Sequence, residues 1–217
     1  KEFGLGKGIW YAVFHSISAF CNAGFDLMGE KEKFSSLTGY ADDFVVNVVI
    51  MGLIVIGGIG FVTWDDIRSH KLHVRKYRMQ SKVIITTTAA LIAAAAGYFF
   101  FFEFSYMQFP VRFWSSMFQA ITPRTAGFNT VDLTSISESG LAVMILLMLV
   151  GGSPGSTAGG MKTTTFAVLL STSVSVFHRK QHTHLFGRRI TDDTIRNAAT
   201  ILMMYLVLFL GGGIVIS

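Results

Sequence analysis

A chain of 217 residues that is 51% hydrophobic and only 14% charged is far more apolar than a soluble domain, where charge is nearer a quarter. Its single cysteine, Cys21, excludes an internal disulfide, and no Cys/His spacing resembles a zinc site. The net charge of +5 sits in two short stretches between apolar segments rather than along a sustained basic face, which argues against nucleic acid as a partner and for membrane lipid as the surroundings.

In chain order, Lys1 to Gly8 lacks the pattern of a secretory signal, and so abrupt a start suggests a fragment of a longer chain. Ile9 to Phe25 is apolar but too short to cross about 30 Å of hydrocarbon, which takes roughly 20 helical residues. Phe44 to Trp64 has crossing length, and the basic segment Asp65 to Lys82 follows. Val83 to Phe104 is the second candidate span, and Val111 to Phe128 repeats the short apolar piece. Leu141 to Phe177 is too long for one span; the basic segment His178 to Arg196 overlaps the start of the last candidate, Ile195 to Ile216. The positive-inside rule places both basic segments in the cytoplasm. The spans then run inward, outward, inward and outward, leaving Lys1 to Asp43 and Ser105 to Glu138 outside. The short apolar pieces within those external segments are predicted to be re-entrant, because non-helical backbone at membrane depth survives only where protein buries it or it lines water. His70, His73, His178, His182 and His184 fall in the basic segments and read as solvated or partner-facing rather than metal-binding.

An internal repeat organises these pieces. Asn22-Ala23-Gly24-Phe25-Asp26 returns 103 residues later as Thr125-Ala126-Gly127-Phe128-Asn129, each time after an aromatic-rich apolar stretch and before a polar segment and an inward span. The expected fold is an all-α integral membrane protein of repeated helix, re-entrant pore loop, helix units around a central ion pore. Residues 8–64 supply the pore loop and second helix of one unit, and 65–82 a cytoplasmic basic loop. Residues 83–177 form a complete unit with a broken second helix, 178–194 a second basic loop, and 195–217 the first helix of a further unit.

A dehydrating cation such as potassium needs a close ring of oxygens, which backbone carbonyls supply when an extended strand turns them toward an axis. Gly24 and Gly127 give that strand its freedom, with Asn22, Ala23, Thr125 and Ala126 beside them, while Phe25 and Phe128 are expected to point away and brace each loop. The competing reading is that each Ala-Gly-Phe turn merely ends a packed helix. Asp26 and Asn129 occupy equivalent mouth positions, where Asp26 either concentrates cations or is simply a hydrated acid. Cys21 is expected to be shielded behind the first loop. Arg124 reads as structural support, bonded to pore-helix carbonyls or paired with an external carboxylate such as Asp132.

The third apolar stretch is interrupted by Gly151-Gly152-Ser153-Pro154-Gly155-Ser156-Thr157-Ala158-Gly159-Gly160, which must open the helix. Leu141 to Val150 covers only about half the bilayer at 1.5 Å per residue, so the break lies near mid-membrane, below the filter. Two readings stand. The run is a gate whose freed carbonyls and whose Ser153, Ser156 and Thr157 hydroxyls can meet a cation, or it is a fixed kink. Gly155 to Gly160 also nearly matches a phosphate-binding loop, but Met161 stands where lysine is required and no strand precedes it. Lys162 is either an intramembrane charge opposing cation passage or a side chain snorkelling to the cytoplasmic interface.

At the two Ala-Gly-Phe loops, at Thr122-Pro123-Arg124-Thr125, and at the run from Gly151 through Lys162-Thr163, the chain resembles the Trk/Ktr/HKT superfamily, and within it the bacterial Ktr-type potassium transporter membrane subunits, over essentially its whole length. The resemblance implies four non-identical units around one pore, one key glycine per filter, and a gating loop that breaks the second helix of unit three. By that likeness residues 8–64 end unit two, 83–177 form unit three, and Ile195 begins unit four. It further implies potassium as substrate, sodium as a coupling ion in some members, no organic cofactor on this chain and no enzymatic activity. It implies a homodimer in the bacterial cell membrane docked on a cytosolic nucleotide-binding regulatory ring. A membrane enzyme or nucleotide binder using the near phosphate loop, and a membrane scaffold or receptor, remain as other readings, separable by ion uptake against turnover.

Overall fold

The computed structural model describes residues 3–30, 33–71 and 73–216. Helix α1 (Gly4–Phe20) is the first short apolar piece, and its last residue leads directly into the first Ala-Gly-Phe loop. Helix α2 (Phe44–Gly58) starts where the Asp43 carboxylate accepts the Val46 N–H at 2.9 Å, satisfying one of the amides that a helix start leaves without a partner. It does not run on to Trp64 as its hydropathy suggests. Gly60 takes φ of +87°, and α3 (Phe61–His70) leaves at 99° to α2. A Cβ on Gly60 would lie 2.5 Å from the Pro154 carbonyl oxygen, so the bend depends on glycine for both its dihedral and its close approach.

Asp66 of α3 is fully buried. Its carboxylate accepts the Ser81 hydroxyl at 2.6 Å and the Arg78 backbone N–H at 2.9 Å, tying α3 to the first turn of α4 (Met79–Tyr98). The Ser81 bond above all, then the Arg78 amide and guanidinium, hold this carboxyl below its ordinary value against the opposing effect of burial. Helix α4 continues into a π-helical turn, Phe99–Glu103, giving a 25-residue apolar rod. Glu103 at its end accepts from the backbone N–H and hydroxyl of Ser137, and Ser137 caps α6 (Glu138–Leu149) by accepting the Gly140 N–H. Between them lies α5 (Phe109–Ile121), the second short apolar piece, with Pro110 in its first turn.

The long third stretch is broken as expected. Helix α6 ends at Leu149 and α7 spans Thr163–Phe177, with Val150 and Met161 paired as a parallel bridge across the base of the intervening loop. The second basic segment is not wholly irregular or helical. Strands β1 (His184–Leu185) and β2 (Arg188–Arg189) form a hairpin around Phe186-Gly187, both at positive φ, as the favoured two-residue hairpin turn requires. Helix α8 (Asp192–Ile216) opens with two acidic residues at its positive end. Among the described residues two helices are long and apolar enough to cross a membrane, and the bent α2–α3 pair makes a third if it is one span.

Helices α1, α2 and α5 pack together around Tyr11, Leu37, Ile50, Ile54, Phe118 and Phe128. A second core joins α4, the π turn, α5 and α6 through Phe99, Phe104, Ala120 and Leu147. Ala126 and Phe128 of the second loop lie in the first core, which sets the two Ala-Gly-Phe loops against each other.

Candidate functional site

The C-termini of α1 and α5 enter their loops with the same backbone. Asn22 and Thr125 take φ of +52° and +72°, and Gly24 and Gly127 take +72° and +86°. The sequence repeat is thus a conformational repeat. A β-branched Thr at positive φ is a genuine outlier that surrounding structure must hold in place.

The two glycines lie back to back. A Cβ on Gly24 would meet the Ala126 carbonyl oxygen at 2.4 Å and the Gly127 Cα at 2.9 Å, and one on Gly127 would lie 3.3 Å from the Gly24 Cα. In both loops a pore-helix hydroxyl engages the phenylalanine carbonyl: Ser18 Oγ donates to Phe25 at 2.8 Å and Thr122 Oγ1 to Phe128 at 2.5 Å. Among the described residues the carbonyls of Asn22, Ala23, Gly24, Thr125, Ala126 and Gly127 accept no hydrogen bond. Helix C-termini carry partial negative charge, and two of them converge on these free oxygens.

Phe128 is fully buried and braces its loop; Phe25 does not, being 70% exposed. Cys21 is likewise exposed rather than shielded, because it caps α1 on a surface that no described residue covers. Asp26 is half-buried and turned onto its own backbone, accepting the Met28 N–H at 2.9 Å. Asn129 is bonded through its main chain to Ser36 Oγ and the Leu37 N–H. Sequence reasoning missed His15, which is buried beside Phe128. Its ring bonds the Tyr11 carbonyl at 2.6 Å and accepts the Leu27 N–H at 3.2 Å, so Nδ1 carries the proton and the ring ties α1 to the segment leaving the first loop.

The glycine run lies directly against the bases of both loops. The Ser153 and Thr157 N–H groups donate to the Gly58 and Gly57 carbonyls at the end of α2, and the Gly155 carbonyl accepts the Phe61 N–H. Thr157 Oγ1 donates to the Phe20 carbonyl at 2.8 Å and accepts from Asn22 Nδ2 at 3.0 Å. On the other side Thr125 Oγ1 accepts the Gly159 N–H at 3.1 Å. Each of the two strained residues, one per repeat, therefore bonds the run through its side chain. Within it, Gly151 and Gly152 pair with Met161 and Gly159, Ser153 Oγ meets Thr163 Oγ1, and Ala158 is buried. Gly155 and Gly160 take positive φ.

Arg124 is 8% exposed and donates to the Gly151 carbonyl at 3.1 Å. Its side chain bonds the run, and neither an α5 carbonyl nor Asp132, whose carboxylate caps Thr134. Lys162 is half-buried and donates to the Ala158 carbonyl at 2.9 Å, folding back on the run instead of reaching away from it. No phosphate-binding strand precedes the run, which follows α6. The anchors at Gly57, Gly58 and Gly60 escaped sequence reasoning, although three glycines in four residues at the end of an apolar span are the signal that marks them.

Membrane-length apolar helices, two short apolar helices that each end in an Ala-Gly-Phe loop, and a helix broken by a glycine run define a multi-pass membrane protein of the helix, pore loop, helix class. The chain belongs to the TrkH family of cation transport proteins, whose family model matches residues 6–88 and 79–216; this is a transport family, not an enzyme family. It is 38% identical over 212 residues to the potassium/sodium uptake protein NtpJ of Enterococcus hirae, covering 95% of this chain and 46% of that protein. It is 36% identical to the Ktr system potassium uptake protein B of Bacillus subtilis, covering 97% of this chain and 47% of the relative. The chain therefore spans about half the length of these curated relatives. The crystal structure of the potassium transporter TrkH from Vibrio parahaemolyticus shares its fold, with a TM-score of 0.69 at 19% identity over 92% of this chain and 43% of that one.

Proposed function

We propose that this chain is part of the pore-forming membrane subunit of a bacterial potassium uptake system, with filters at Gly24 and Gly127 and a gate at Gly151 to Gly160. The observation that carries it is the unbonded set of carbonyls flanking two back-to-back glycines at converging helix C-termini, since an ion that sheds its water needs such oxygens. The names of the two relatives, one a potassium/sodium uptake protein and one a Ktr system potassium uptake protein, support potassium as substrate and sodium as a second ion. In this reading residues 8–64 close unit two, 83–177 are unit three and 195 onward opens unit four. The basic segments face the cytoplasm, where a nucleotide-binding regulatory ring would dock on a homodimer.

The gate reading is favoured over a fixed kink by where the run's bonds go. A kink relieves packing within one helix, whereas this run is held by α2 and by both candidate filters. The test is potassium uptake by uptake-deficient cells expressing the full-length protein. Uptake that restores growth at low potassium is expected; none from a correctly inserted protein overturns the proposal.

A further inference from the structure

Behind the glycine run lies a cavity of about 10 Å³ bounded by Asn22, Ile54, Gly58, Thr88, Arg124 and Gly152. Three of these residues each bring a buried polar atom that has no hydrogen-bond partner: Asn22 Oδ1, Thr88 Oγ1 and Arg124 Nε. Each is unusual in its own setting. Thr88 is 6% exposed on α4, yet its hydroxyl does not bond back to its own helix, as those of Thr86, Thr172 and Thr200 do. Arg124 uses Nη2 on the Gly151 carbonyl and leaves Nε–H unused. The amide of Asn22 cannot be turned around to remedy its own deficit. Thr157 Oγ1 gives its proton to the Phe20 carbonyl and must therefore receive one from Asn22 Nδ2, which leaves Oδ1 as the atom without a donor.

We propose that this cavity is a binding site for one water molecule, held by Arg124, Thr88 and Asn22. The water accepts from Arg124 Nε–H and Thr88 Oγ1–H and donates to Asn22 Oδ1, making the three bonds typical of a buried water and satisfying all three groups. A cation is disfavoured by the positive guanidinium of Arg124, and an anion by the carbonyl oxygen of Asn22. Volume decides the same way, since about one water molecule fits. The three residues come from the first loop, the second loop and α4. Two of them also hold the glycine run, at Thr157 and Gly151. The water thus locks the run's holders to one another and to α4, a role that rests on the gate reading above.

The experiment is a structure of the full-length transporter that resolves ordered solvent, for wild type, Thr88→Val and Thr88→Ser, alongside potassium flux and folded yield of each. Expected is a solvent peak within hydrogen-bond distance of all three atoms in wild type and Thr88→Ser, lost in the near-isosteric Thr88→Val. Loss of one bonded contact should raise flux about fivefold, with potassium-over-sodium selectivity kept. A direct bond from Arg124 Nε to Asn22 Oδ1 with no solvent peak, or a peak that survives in Thr88→Val, overturns the site. A peak lost without any change in flux overturns the gate reading and leaves the water site standing.

Discussion

Gly24 and Gly127 are equivalent in sequence and in backbone, but not in their surroundings. A side chain on Gly24 runs into main-chain atoms of the opposite loop at 2.4 and 2.9 Å, which cannot swing aside, whereas on Gly127 the tightest approach is 3.3 Å. Both substitutions are strained at positive φ, but Gly127→Ser should keep the higher folded yield of the two while weakening discrimination between potassium and sodium, and Gly24→Ser should lose most of its folded yield. Chromatographic yield and ion selectivity measured together test this; a well-expressed Gly127→Ser with unchanged selectivity argues against the filter. Thr125 carries strain of about 1–3 kcal/mol at its positive φ. In return it supplies the acceptor for the Gly159 N–H. Thr125→Val removes that acceptor and should weaken the run's hold by about 1 kcal/mol, raising flux, while Thr125→Ser keeps wild-type flux. Equal flux in both variants would mean the bond does not restrain the run.

At the scale of elements, the glycine run and the α3–α4 corner make separate predictions. Deleting Gly152 to Gly159 in the full-length protein removes the run's bonds to α2 and to both loops, so flux should rise with selectivity kept. Unchanged or lower flux in a correctly inserted variant leaves the kink, and fast but unselective flux means that the run supports the filter. Asp66 is the fastener of the corner. Because its folded value is depressed, its contribution is present above the unfolded value of about 3.9 and is lost as pH falls through the lower folded value. Asp66→Asn should therefore lower the thermal midpoint at pH 7, with a cost of about 1–3 kcal/mol, and the gap to wild type should narrow only below about pH 3.9. A gap that is constant across that range would show that the charge is not what holds the corner.

For the whole molecule, the expected orientation places Lys33 outside and Gln181 inside. In a Cys21→Ser background, Lys33→Cys should react with an impermeant maleimide added to intact cells, and Gln181→Cys only after permeabilisation; the reverse pattern inverts the topology. The spans and the repeat were legible because apolar length and a repeated five-residue pattern are local properties of the chain, as α4, α8 and the two loops illustrate. The end of α2 was not, since hydropathy counts Gly57-Gly58 as ordinary apolar residues and ignores the dihedral that Gly60 makes available. The partners of Arg124 and Asn22 were hidden for another reason. Gly151 lies 27 residues from Arg124 and Thr157 lies 135 residues from Asn22, so no spacing rule reaches them.

The parallel bridge between Val150 and Met161 brings the strands entering and leaving the run to within about 5 Å of each other. The run is therefore a cassette with a closed neck: the spacing of α6 and α7 is set at its base rather than along its length. Inside the neck Gly151 and Gly152 leave no room for a side chain, and Ser153, Thr157 and Gly159 are bonded to α2 and to the two loops, so a change there alters the hold on the run, while Val150 and Met161, both buried, keep α6 and α7 in place. Loosening the run without disturbing the bundle therefore means substituting inside that neck and leaving its two flanking residues alone.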